Sequence, residues 1–165
     1  MTEMSCRVLS HDASGVSIVM FDNDAIASSV PPQWALTQLK QAFESLGVKV
    51  RLVSAISQAP AGDQVVVVAC ASNSVAQEVI GGAKITMPSS AEALLLVRGT
   101  ASGRSVLLVS GNDARGLAYA LLELTDRLLY SDSLTAALTV NPAIIEQAHN
   151  KTRSMCRSFQ SVVED

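Results

Sequence analysis

The spacing of apolar positions changes repeatedly along the chain, and each change predicts a new element. The first fifteen residues are polar and broken, a lead-in before any regular pattern. Val16–Phe21 is then β-branched and aromatic, the mark of a buried strand. After Asp22-Asn-Asp24 and the Pro31-Pro32 pair, Leu36, Leu39, Phe43 and Leu46 recur at spacings of three and four. That is one helical stripe, opened near Pro32 and closed by Gly47. Val48–Val53 alternates and predicts a half-buried strand near a sheet edge. Gln64–Cys70 is apolar at nearly every position, as in a central strand covered on both faces.

A short helix follows, capped from Ser72-Asn-Ser74 and expected to end at Gly81-Gly82. Two further apolar runs, Ala91–Arg98 and Arg104–Ser110, flank Gly99-Thr-Ala-Ser-Gly103 and predict a β-hairpin. Asp113 is a good N-cap for a helix to about Leu129, with Leu117, Leu121, Leu124 and Leu128 as its buried stripe. The order is β-α-β, β-α, β-hairpin, α. It predicts an α/β (α+β) sandwich with a mixed sheet and about three helices. Beyond Ser131 the pattern weakens. The expected organisation is a lead-in over 1–15, one small α/β domain over 16–140, and 141–165 as a linker running into the first strand of a following domain.

Composition sharpens this picture. The 165 residues are 48% hydrophobic and only 16% charged, against about 25% charged in an ordinary soluble domain. Disorder is excluded. So is a spanning helix, because the longest apolar run, Val65–Ala71, falls far short of the ~20 residues required. The net charge is −3 with no basic stripe, which argues against nucleic acid as a partner. Cys6, Cys70 and Cys156 are odd in number and far apart, so neither a disulfide framework nor a zinc site is expected. With His11 and His149 as the sole histidines, no metal or cofactor site can be drawn. The N-terminus has neither a basic region nor an apolar core and does not read as a signal peptide, which leaves the compartment open.

Candidate chemistry reduces to ordinary structure at each point. Gly111-Asn-Asp-Ala-Arg-Gly116 has the glycines of a phosphate loop, but Leu117 stands where lysine is needed. Turn, cap and close-packing roles explain Gly111, Asp113 and Gly116 equally well. Cys70, at a strand end before a helix, occupies a place where a thiolate is stabilised, yet no histidine base lies in the central part of the chain. Asp22 and Asp24 follow a strand end, where α/β sheets bind ligands, but two acids in a solvated loop are commoner. Nothing assembles a nucleophile, a base and an orienting group, so no catalytic residue is expected.

Two segments carry a family resemblance. Ala91–Arg98 followed by Arg104–Leu124 resembles the hairpin and helix of the small N-terminal domain that precedes the catalytic barrel of several glycoside hydrolases, the β-hexosaminidases and α-glucuronidases. That pattern runs strand, G-x-D-x-R-G, x-x-Y-G-L, helix. Gly111, Asp113, Arg115, Gly116, Tyr119 and Leu121 fall on it, and Ala120 replaces the usual glycine. Arg153–Asp165 is similar to the segment that opens the barrel in α-glucuronidase-like proteins. The resemblance implies a non-catalytic accessory domain packed on a (β/α)8 barrel whose carboxylates hydrolyse a carbohydrate. It implies no cofactor. Arg157 alone would reach a sugar in the intact enzyme, or else serve as an interface arginine. The apolar excess then includes a face made to be covered, through which the chain alone would self-associate. Two rivals remain: a freestanding module for a glycan or small ligand, and a small α/β enzyme using Cys70.

Overall fold

The computed structural model describes residues 15–149. Residues 1–14 of the expected lead-in, with Cys6 and His11, and also Cys156, Arg157, the linker at 150–152 and the strand at 154–159, lie outside the described residues.

The elements run β1 (Val16–Met20), α1 (Val30–Ser45), β2 (Val50–Val53), β3 (Gln64–Cys70), α2 (Ser74–Gly82), β4 (Leu94–Ala101), β5 (Arg104–Gly111), α3 (Ala114–Tyr130), α4 (Leu134–Leu138) and β6 (Ile144–Glu146). One mixed sheet takes all six strands in the order β2-β1-β3-β5-β4-β6. β1, β2, β3 and β5 are parallel, and β4 runs antiparallel to both β5 and β6. The architecture is the expected α/β sandwich with a mixed sheet.

Strand pleating divides the apolar residues into two cores. Ile18, Val66, Val68, Leu96, Leu107 and Val109 face α1 and α3, which pack side by side over them with Leu39, Phe43, Leu117, Leu121 and Leu124. Val19, Val65, Val67, Leu95, Val97, Val106 and Leu108 face the other way, towards Ala76, Val79 and Ile80 of α2. A sheet covered on both sides needs strands that are apolar on both sides. Most of the apolar excess is spent there.

Three local expectations change. The hairpin turn is only Ser102-Gly103, with φ of 50° and 73°. Gly99, Thr100 and Ala101 continue β4 and pair with Val106, Ser105 and Arg104. Gly99 is needed in the strand because a Cβ there would lie 2.7 Å from Val79 Cγ1. Gly81 and Gly82 lie in the last turn of α2, and Lys84, at φ 54°, takes the left-handed position beyond it. Finally, regular elements continue past Ser131, as far as Glu146. Ser133 caps α4, its hydroxyl accepting from the Ala136 N–H, and after a cis Asn141-Pro142 bond β6 pairs Ile144–Glu146 with Leu94–Leu96.

Candidate functional site

The strand-to-helix corner carrying the motif is built from its glycines outwards. β5 ends at Gly111, whose Cα faces the backbone of Gly116 and Leu117, so any side chain there would collide with α3. Gly116 likewise faces the Ala93 carbonyl. Asp113 uses both carboxylate oxygens. Oδ1 accepts from the Gly116 N–H at 2.8 Å, and Oδ2 accepts from the Glu92 N–H at 2.9 Å. Arg115, largely exposed, meets Glu92 Oε1 at 3.1 Å. Asn112 donates from Nδ2 to the carbonyls of Pro88 and Ser90, and its N–H donates to Ala93 O. The corner therefore holds the loop 88–93, which includes Glu92 at φ 60°, against the start of α3. Burial acts to raise the Asp113 pKa. The N–H groups of Gly116, Glu92 and Arg115, with the Arg115 charge, outweigh it and hold the carboxyl below the usual range. With both oxygens committed to backbone donors, Asp113 is a cap rather than a reactive acid.

The second place to look is where the parallel part of the sheet reverses its winding, between the C-terminal ends of β1 and β3. Open α/β sheets bind ligands there. A polar crevice of about 390 Å³ is present, lined by Asn23–Ile26, Cys70 and Ser72–Ser74. The N–H groups of Asp24, Cys70 and Asn73 in it are already taken. Asp24, buried, accepts from the Cys70 N–H at 2.8 Å through Oδ2 and from the Ala27 N–H at 2.9 Å through Oδ1. Asn73 caps α2, its Oδ1 accepting from the Val75 N–H, and its Nδ2 lies 3.5 Å from Asp24. Cys70 is buried, with Sγ 3.3 Å from Ser72 Oγ and 3.8 Å from the Asn112 carbonyl. No histidine adjoins it among the described residues. Asp22 is exposed and Asp24 buried, so the two acids do not form a working pair.

A third feature lies between α3 and the sheet edge. Tyr119, Leu122, Glu123 and Asp126 of α3, together with Glu92, Leu94, Glu146, Gln147 and Ala148, enclose a groove of about 360 Å³. Tyr119 is 38% exposed there. Neither the groove nor the role of Asp24 is visible in the sequence, because their residues meet across 46 positions in one case and across three elements in the other. Among the described residues, no group of three or more His, Cys, Asp or Glu side chains is placed to hold a metal ion, and no helix is long and apolar enough to cross a membrane.

No protein-family model matches the chain, and no curated protein matches it. Solved structures do. A GH138 enzyme targeting pectin rhamnogalacturonan II matches with 19% identity and a TM-score of 0.44, over 72% of this chain and 11% of its own. BtGH115A, a GH115 4-O-methyl-α-glucuronidase with specificity for decorated arabinogalactans, matches with 21% identity and a TM-score of 0.48, over 71% of this chain and 14% of its own. CpGH84D matches with 10% identity and a TM-score of 0.51, over 73% of this chain and 18% of its own. This chain thus spans less than a fifth of each of these three proteins. The small α/β fold that the motif implies occurs within a larger GH84 glycoside hydrolase.

Proposed function

We propose that this chain is the non-catalytic accessory domain of a larger glycoside hydrolase. It packs against a (β/α)8 barrel that follows it, and the barrel's carboxylates hydrolyse a carbohydrate. The observation that carries the reading is that 73% of the chain superposes on only 18% of CpGH84D. Such a fold is a part within a larger glycosidase. The strand–turn–helix motif from Gly111 to Leu121 points the same way. Its polar groups are spent on the chain's own backbone, which suits a part that supports rather than reacts. The chain beyond β6 then leads from this domain into the barrel, with Arg157 on the first barrel strand, either within reach of a sugar or at the interface.

Assays of the 165-residue chain against a panel of chromogenic aryl glycosides test this directly. The expected result is no turnover. Hydrolysis that co-purifies with the chain through successive columns overturns the reading.

A further inference from the structure

The turn between β4 and β5 dictates which groups of β4 face outward. Ser102 and Gly103 both have positive φ, as in a two-residue type I′ hairpin. The flanking residues, Ala101 and Arg104, therefore exchange both main-chain hydrogen bonds. The pairs Gly99–Val106, Val97–Leu108 and Leu95–Ser110 follow at intervals of two. The residues between them, Leu94, Leu96, Arg98 and Thr100, turn both N–H and C=O away from β5.

β6 takes the first two of these, with Glu146 opposite Leu94 and Ile144 opposite Leu96. The next rung would set Pro142 opposite Arg98. Proline has no N–H to give the Arg98 carbonyl, and the ladder stops. The main-chain groups of Arg98 and Thr100 meet no partner among the described residues. They lie one strand repeat apart, about 7 Å. Beside them is a groove of about 670 Å³, with Ala83, Ile85, Val97, Val140 and Ala143 in its lining. None of the residues lining it is acidic. Arg98 lines it as well, and its guanidinium donates to neutral oxygens, the Leu138 carbonyl and Gln64 Oε1. Lys84, exposed, sits between Ala83 and Ile85.

We propose that the outer edge of β4 from Arg98 to Thr100 docks an extended strand of a partner polypeptide, apolar and carrying a carboxylate, which prolongs the sheet where β6 stops. Main-chain donors and acceptors at the strand repeat call for another main chain, and the apolar lining for alternate apolar side chains. The uncompensated cations call for the carboxylate. They also disfavour a second copy of this chain, which would bring another Arg98 and Lys84 to the same edge. The docking site does not rest on the glycosidase reading: an active chain would overturn that reading and leave the edge as it is.

Amide hydrogen exchange of the full chain, followed by NMR, tests it. The probe is a blocked hexapeptide of alternating valine and threonine with one glutamate. In the free chain the Arg98 and Thr100 amides exchange without protection. At a peptide concentration ten times its Kd they slow by about ten-fold, while the Gly99 amide, bonded to β5, is unchanged. Lysine in place of the glutamate weakens binding by about three-fold, the worth of one exposed ion pair. The same peptide N-methylated along its backbone gives no protection. Absence of protection at millimolar peptide overturns the proposal. So does equal protection by the N-methylated peptide, which would assign the groove to side chains alone. Protection already present in the free chain and lost on dilution also overturns it, by giving the edge to a second copy.

Discussion

A single carboxylate, Asp113, joins two segments of chain, because its oxygens hold the first turn of α3 and the loop at Glu92 together. Replacing it with alanine removes an N-cap and strands the Glu92 N–H, so chemical denaturation should show a loss of about 1–2 kcal/mol. Its lowered pKa gives the loss a pH signature. A carboxyl whose folded pKa lies below its unfolded value contributes stability above the unfolded value and loses it as pH falls through the folded one. The gap between wild type and Asp113→Asn should therefore be full above about pH 5 and close below about pH 4. A gap that widens in acid would contradict the assignment. Gly116 makes a sharper test of the same corner. The Cβ of Gly116→Ala meets the Ala93 carbonyl, a backbone atom that cannot swing away, and a loss of about 1–3 kcal/mol is expected. Of these roles the sequence discloses the cap and the close approach, since both follow from local spacing. It does not disclose Asp24. That residue reads as one of two loop acids, and only the fold brings the Cys70 N–H, 46 positions away, to its oxygen.

At the level of elements, glycines with opposite roles give predictions of opposite sign. Gly103 holds φ 73° in the two-residue turn between β4 and β5, so Gly103→Ala should lower stability by about 1 kcal/mol. Gly81 lies inside α2 with nothing within 4 Å of a built Cβ. Gly81→Ala should therefore raise stability by about 0.5–1 kcal/mol, read as a higher Tm. In the sequence both glycines read as breaks, one ending a helix and the other closing a hairpin loop. The parallel strands were legible because burial on both faces leaves an uninterrupted apolar run, as in Val65–Ala69. The short α4 and β6 were not. Five and three residues are too few to establish a period, and they are ordered by what they pack against. Leu134, Ala137 and Leu138 reach the core under α3, and β6 is held by Leu94–Leu96.

For the molecule as a whole, the question is where the domain ends. Exposed large apolar residues are spread over several elements, among them Val30 and Trp34 on α1, Leu52 on β2 and Tyr130 on α3. The two cores, by contrast, share one sheet, so its edges matter to both. The edge beside β4 is closed by β6, with Leu95 opposite Ile145 and Leu96 opposite Ile144. Ile144 also packs on the α1/α3 core. A chain ending at Val140 would open the Leu94–Leu96 backbone, a flat apolar edge of the kind that pairs with other molecules. Compared with a chain ending at His149, it should lose about 1–2 kcal/mol from Ile144 burial and the missing ladder. It should also associate more strongly with concentration, as light scattering or sedimentation would register. Equal Tm and equal monodispersity for the two would mean that β6 is an ornament of the sheet. The predicted difference would instead make residues 144–146 part of this domain, and would place the start of any connecting segment after β6, at the lip of the acidic groove.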